Sequence, residues 1–144
     1  MIDGMFNSGA MPALNRLMQF TERRQAHLAD SIANLSTPHY RPHDLDPESF
    51  QEALGDAIDR RRTRGNPIGG ELEIDDTRQL SFRDGRLVEK PEATNDNLLF
   101  HDRNNRSLEH LMQDQAENVM THRFATEMLK NQYDMLRMAI REQV

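Results

Sequence analysis

The residues able to do chemistry in this chain are few, and their spacing does not suit it. His39 and His43 lie four positions apart, but Pro42 between them denies the helical face that a metal-ligand pair would need. Glu109-His110 lacks the second histidine of a zinc-protease helix. Asp44, Asp46, Asp75 and Asp76 fall in loop-like sequence, with nothing to mark one as acid and another as base. Ser36 has no evident base, and there is no Gly-rich phosphate loop. His122 sits on an apolar helical stripe, where a packed polar side chain is expected before a ligand. The basic run Arg60-Arg61-Arg62-Thr63-Arg64 reads as a solvated helix end whose cations suit the helix dipole. The alternative, a phosphate or acidic-surface contact, is disfavoured because no aromatic residue is interleaved and the chain is acidic. The expectation is therefore no enzyme, no cofactor, no metal site and no small-molecule substrate.

What the sequence does build is helix. Residues 107–144 contain no Gly or Pro and are rich in Leu, Met, Ala, Gln, Glu and Arg, which suit a helix. Leu108, Met112, Gln115, Val119, His122, Thr126, Leu129, Tyr133, Leu136 and Ile140 alternate in steps of four and three. That period predicts a seam along which another helix lies. Ala125, Met128, Met135 and Met138 widen the apolar face, so a single partner helix is not enough to cover it. Ser107 is the expected N-cap. The polar seam members Gln115, His122 and Thr126 are expected to select register and partner.

The mate is near the other end. After a breaker-rich start over residues 1–10, Ser8 and Pro12 open a helix whose Leu14, Met18, Thr21, Gln25, Leu28, Ile32 and Leu35 step by four and three again. It stops at Pro38, which pushes Thr37 out of the helical region, while Asn34 or Ser36 serves the corner. Asp46-Pro47 caps a shorter helix with Phe50, Ala53, Leu54, Ala57 and Ile58 on one face. Residues 65–70 read as a linker. Gln79-Leu80-Ser81-Phe82-Arg83 and Arg86-Leu87-Val88-Glu89-Lys90 flank Asp84-Gly85, a strong hairpin signal. Two strands alone are marginal, so this hairpin must lean on a helix or on a neighbour. Residues 91–106 form a polar return.

Composition fits an elongated or assembling helical protein. Of 144 residues, 36% are hydrophobic and 29% charged, which is lean for one compact core. The net charge of -6 disfavours general nucleic-acid binding, and with no cysteine there is no disulfide or thiolate site. No apolar run is long enough to span a bilayer, and the first residues lack the pattern of a cleaved signal peptide. The fold class expected is mainly α: long N- and C-terminal helices pair as an antiparallel coiled-coil-like bundle, with a variable middle segment holding a short helix and a β-hairpin. The divisions are 1–40, 41–106 and 107–144.

Ser31-Ile32-Ala33-Asn34-Leu35-Ser36-Thr37-Pro38-His39-Tyr40 resembles the N-x-A-N-x-x-T-P-x-Y signature of bacterial flagellar axial proteins. Downstream, Asn104-Asn105, Ser107-Leu108-Glu109, Ala116-Glu117-Asn118, Leu129, Tyr133, Met135-Leu136 and Ala139-Ile140-Arg141 are similar to the C-terminal helix of the proximal-rod FlgB family. The resemblance covers both ends, roughly half the chain. Ser31 replaces the signature's first Asn and His39 its Gly. If that Gly has positive φ, His39 carries a steric cost there.

The resemblance implies a non-enzymatic subunit of the flagellar basal-body rod, the shaft joining the inner-membrane ring to the distal rod and hook. It implies export through the flagellar type III apparatus without a cleaved signal, and a place in the periplasmic rod. The implied partners are other rod subunits, copies of itself, the inner-membrane ring and its rod adaptor protein, and the export apparatus. Leu14, Met18, Gln25, Leu28, Ile32, Asn34, Leu35, Thr37, Pro38 and Tyr40 would then belong to the assembly interface. So would Leu108, Met112, Gln115, Asn118, Val119, Leu129, Tyr133, Leu136 and Ile140. Because isolated helices are marginal, both terminal helices are expected to form fully only on assembly. The alternative class is a cytoplasmic helical adaptor or chaperone-like module that uses the same seam to bind a client helix.

Overall fold

A computed structural model describes residues 9–63, 72–83, 85–90, 92–93 and 108–141. Ser8, the linker 65–70, Asp84, Asn104-Asn105, Ser107 and most of the return 91–106 lie outside the described residues. The elements in order are α1 (Met11–Ala33), β1 (His43–Asp44), α2 (Pro47–Thr63), β2 (Leu80–Arg83), β3 (Arg86–Glu89), β4 (Glu92–Ala93) and α3 (Leu108–Arg141). Among the described residues, three helices and two small two-stranded sheets make the protein mainly helical.

α1 begins with Pro12 in its first turn, where a missing N–H costs nothing. Its first residues have no side-chain cap, since Ala10 stands at the cap position. α2 is capped as its sequence demands. The Asp46 carboxylate accepts from the Glu48 amide at 3.0 Å and from the Ser49 hydroxyl. Phe50 and Ala57 are buried on the expected face, with Ala53, Leu54 and Ile58 half-buried around them.

The hairpin forms in the register Leu80↔Glu89, Ser81↔Val88, Phe82↔Leu87 and Arg83↔Arg86. Gly85 has φ +76° at its tip, a conformation that suits a residue without Cβ. The support required by a two-stranded hairpin comes from α1. Arg16 and Gln19 both donate to the Gly85 carbonyl, and the Arg16 guanidinium lies 5.1 Å from the centre of the Phe82 ring. Farther along, His27 Nε2 approaches Glu89 Oε2 at 3.3 Å. β1 pairs with β4, matching His43 to Ala93 and Asp44 to Glu92.

The core therefore lies between α1 and the middle segment. Phe20, Leu45, Phe50, Leu80 and Leu87 form one cluster, with Leu17, Leu54 and Phe82 packed against it. The Phe20 and Phe50 rings stack with centroids 4.1 Å apart. A second cluster of Ala57, Leu72 and Ile74 extends it along α2.

The basic run is not simply a solvated helix end. Arg60 pairs with Asp75 and donates to the Glu73 carbonyl, while Arg61 donates to the Gly9 carbonyl at 3.0 Å. Both are half-buried. They tie the end of α2 to the segment 72–77 and to the start of α1. Arg62 stays exposed, 3.6 Å from Asp59 on its own helix.

Candidate assembly interface

α3 lies along α1. Thr21 meets His122, and four residues on, Gln25 meets Asn118 four residues back, so the helices run in opposite directions. Leu14, Met18, Thr21, Gln25, Leu28 and Ile32 share the stripe that faces α3, each half-buried or buried. Leu35, the last residue of the expected stripe, lies beyond the end of α1.

On α3 the seam is turned. Asn118 and Ala125 are its buried residues, with Leu111, Gln115, His122, Leu129, Gln132 and Leu136 half-buried at the same spacing. Gln115, His122, Leu129 and Leu136 are shared with the expected stripe. Leu108, Met112, Thr126, Tyr133 and Ile140 are exposed instead, and Val119 is half-buried at the margin. The contact is centred on a small side chain and on an amide because these let α3 approach α1 closely.

The polar members of the seam satisfy one another. The Asn118 amide donates to the Thr21 carbonyl at 2.9 Å and to Gln25 Oε1 at 3.1 Å. The Thr21 hydroxyl, 3.0 Å from the carbonyls of Leu17 and Met18, also lies 2.8 Å from His122 Nδ1. A hydroxyl has one proton, and here it is directed at the helix carbonyls. That network assigns a proton to His122 Nδ1, which donates it to Thr21. Gln25 therefore pairs with Asn118.

A charged cluster that the sequence reading missed joins three elements. Arg24, 6% exposed, grips the Asp44 carboxylate with contacts of 2.8–3.2 Å. Asp114 of α3 stands 3.8 Å from the same guanidinium. Burial pushes the Asp114 carboxyl above its ordinary range; Arg24 pulls the other way, and Asp44 and Glu117 add to the rise. The available signal was position: Arg24 shares a helical stripe with Phe20, Leu28 and Ser31, all buried.

The signature residues close a turn onto the end of α1. Asn34 Nδ2 donates to the Asp30 carbonyl and carboxylate at 2.9 and 3.0 Å, and the Thr37 amide donates to the Asn34 carbonyl at 2.9 Å. The Tyr40 hydroxyl donates to Asp30 Oδ2 at 2.7 Å, and partial burial followed by this bond pushes its phenol pKa up. Ser31 is buried, with its hydroxyl 3.5 Å from the His43 carbonyl. His39 has φ +62°, the one positive φ on a non-glycine among the described residues. Leu35 is half-buried and Pro38 exposed in this turn.

Two apolar surfaces remain open around α3. One is a cavity of about 230 Å³ between the helices, lined by Thr21, Gln25, Asn118, Val119 and His122, with Glu22 and Arg123 at its rim. The other is a ridge of Met120, Phe124, Met128, Met135 and Met138. No group of metal-ligating side chains occurs among the described residues. No helix among them is long and apolar enough to cross a membrane. Comparison with known proteins finds no family model, no curated protein and no solved structure that matches the chain.

Proposed function

We propose that the chain is a non-enzymatic structural subunit of the bacterial flagellar basal-body rod, exported without a cleaved signal and assembled with other rod subunits. α1 and α3 act as two members of a coiled-coil-like bundle that neighbouring subunits complete. The inner-membrane ring with its adaptor protein and the type III export apparatus are its further partners.

The observation that carries this reading is the turn over residues 34–40. Of the residues that resemble the axial-protein signature, Asn34 and Tyr40 bond to Asp30 and Thr37 bonds to Asn34, and together they fix the exit from α1. The apolar excess on α3 supports the same reading, since a helix so exposed needs cover from another chain. Torque transmission suits a long contact made of many small contributions.

One observation favours the adaptor instead. α1 already buries Phe20 and Leu17 against the chain's own middle segment, so part of the fold is self-sufficient. Fractionation of cells with the export apparatus intact or disabled separates the two readings. A rod subunit leaves the cytoplasm only when the apparatus works. A chain that stays cytoplasmic and dimeric in both strains would establish the adaptor.

A further inference from the structure

An oxidant meets few susceptible side chains in this protein. There is no cysteine and no tryptophan, so the thioethers of its nine methionines are the groups most readily attacked. Met1 and Met5 lie outside the described residues. Of the others, Met11 is 4% exposed at the start of α1, and Met18 is half-buried on the stripe that faces α3. Met112, Met120, Met128, Met135 and Met138 are all exposed, and all belong to α3.

Four of those five share a face. At about 100° per residue, Met120, Met128, Met135 and Met138 fall within an arc of roughly 80° that also holds Phe124, and Met112 stands about 80° outside it. The fold does not rest on this arc. Among the described residues, neither core cluster contains a methionine. The contact between α1 and α3 is made by Thr21, Gln25, Asn118, His122 and Ala125. The methionines open to an oxidant are thus the ones that the packing does not use.

We propose that Met120, Met128, Met135 and Met138 form a reversible oxidation site, at which peroxide turns the apolar ridge of α3 polar while the fold stays intact. In each step the thioether sulfur donates an electron pair to one peroxide oxygen. The O–O bond breaks, an S–O bond forms, and the displaced hydroxide takes the proton of the transferred oxygen and leaves as water. Sulfur is oxidised by two electrons and peroxide reduced by two. The sulfoxide oxygen is a hydrogen-bond acceptor, and burying it without a donor is costly, so an oxidised ridge no longer suits an apolar contact. Met11 is reached only when the start of α1 opens. Methionine sulfoxide reductase reverses the change: a dithiol becomes a disulfide and the oxygen leaves as water. Resting on the rod-subunit reading, the consequence is that the free subunit assembles while its ridge is reduced and is held back once it is oxidised.

Treatment of the purified full chain with hydrogen peroxide, followed by peptide mass spectrometry, tests the site. The four ridge methionines should be oxidised at least about tenfold faster than Met11, because susceptibility follows exposure. The urea midpoint should stay nearly unchanged. Retention on a hydrophobic-interaction column should fall, then recover after treatment with the reductase and dithiothreitol. Combining Met120→Leu, Met128→Leu, Met135→Leu and Met138→Leu keeps the ridge apolar without an oxidisable sulfur, so the retention of this fourfold variant should not respond to peroxide. Four results overturn the proposal: ridge methionines no faster than Met11, a urea midpoint that falls in step with their oxidation, retention that ignores it, or a fourfold variant that responds as the unaltered chain does. Co-sedimentation with other rod subunits reads the consequence, and equal binding by the reduced and oxidised chains overturns the regulation. Failure of the oxidation pattern with apparatus-dependent export retained leaves the rod reading standing. The pattern as described without such export removes the rod reading and its consequence, and leaves the oxidation site standing.

Discussion

α1 and α3 are both long amphipathic helices, yet their surroundings differ sharply. α1 is packed on two sides, with Phe20, Arg24 and Ser31 toward the middle segment and Thr21 and Leu28 toward α3. α3 is packed on one side only, and Asn118 and Ala125 are its only buried residues among those described. Length explains part of this. α1 has 23 residues and α3 has 34, roughly 35 and 50 Å at about 1.5 Å per residue. Carrying the Thr21–His122 register back to Met11 brings α1 to its start beside Gln132. Residues 133–141 of α3 run on past it. Stability is thus concentrated in α1, which holds the chain together, whereas the distal part of α3 leaves Tyr133, Met135, Met138 and Ile140 exposed.

The strongest way to break this contrast is to truncate one apolar side chain in each region. Phe50→Ala should cost about 3–5 kcal/mol, since its ring is buried and stacked on Phe20. Met135→Ala should stay within about 0.5 kcal/mol, because half of that side chain is already in water. Urea unfolding measures both, and comparable losses would erase the distinction. Hydrogen exchange on the dilute chain sharpens it. Amides around Phe20 and Leu28 should be strongly protected and those of residues 133–141 should exchange fast, until partners are added. That result would narrow the expectation that both terminal helices wait for assembly to α3.

A second contrast lies within α3. Leu129→Asp places a charge against α1 and should destabilise the isolated chain by about 2 kcal/mol. Leu136→Asp lies past the start of α1 in this register yet is half-buried, so it should destabilise the isolated chain less than Leu129→Asp and, if the chain is a rod subunit, abolish its assembly. Motility and sedimentation, read beside the unfolding curves, distinguish the two effects. Equal destabilisation by both would mean that α1 covers more of α3 than the register indicates.

Smaller effects test the joints between regions. His39→Gly should stabilise the chain by roughly 0.5–1 kcal/mol, by relieving a left-handed backbone at the exit of α1. Destabilisation would show that the His39 side chain holds the turn. The smallest expected effect is that of pH on the α1–α3 contact. The Asp114 pKa is raised in the folded state, chiefly by burial, so its contribution to stability is full below the unfolded value of about 3.9. That contribution is lost as pH rises through the folded value. Asp114→Asn should flatten this part of the stability-versus-pH profile. An unchanged profile would place the dependence elsewhere.

The sequence by itself determined much of the local structure. Pro12 and Asp46-Pro47 marked helix starts, the Asp84-Gly85 pair marked the hairpin, and the four-three spacing from Leu14 to Ile32 marked α1's seam. Each signal is local, because a turn conformation, a cap or a helical stripe depends on neighbours in sequence.

Only the tertiary structure decided which stripe of α3 meets α1. Its apolar residues lie on more than one face, and a heptad period gives the pitch of a seam without choosing among parallel stripes. That choice fell to Asn118 and Ala125, because close approach and a paired amide outweigh the greater apolar area of Met112 or Tyr133 on the flank. The joining of Arg24 to Asp44 and Asp114, and of Phe20 to Phe50, was equally hidden. Those partners lie far apart in sequence or on separate elements, and their meeting depends on how α1, α2 and α3 are arranged in space.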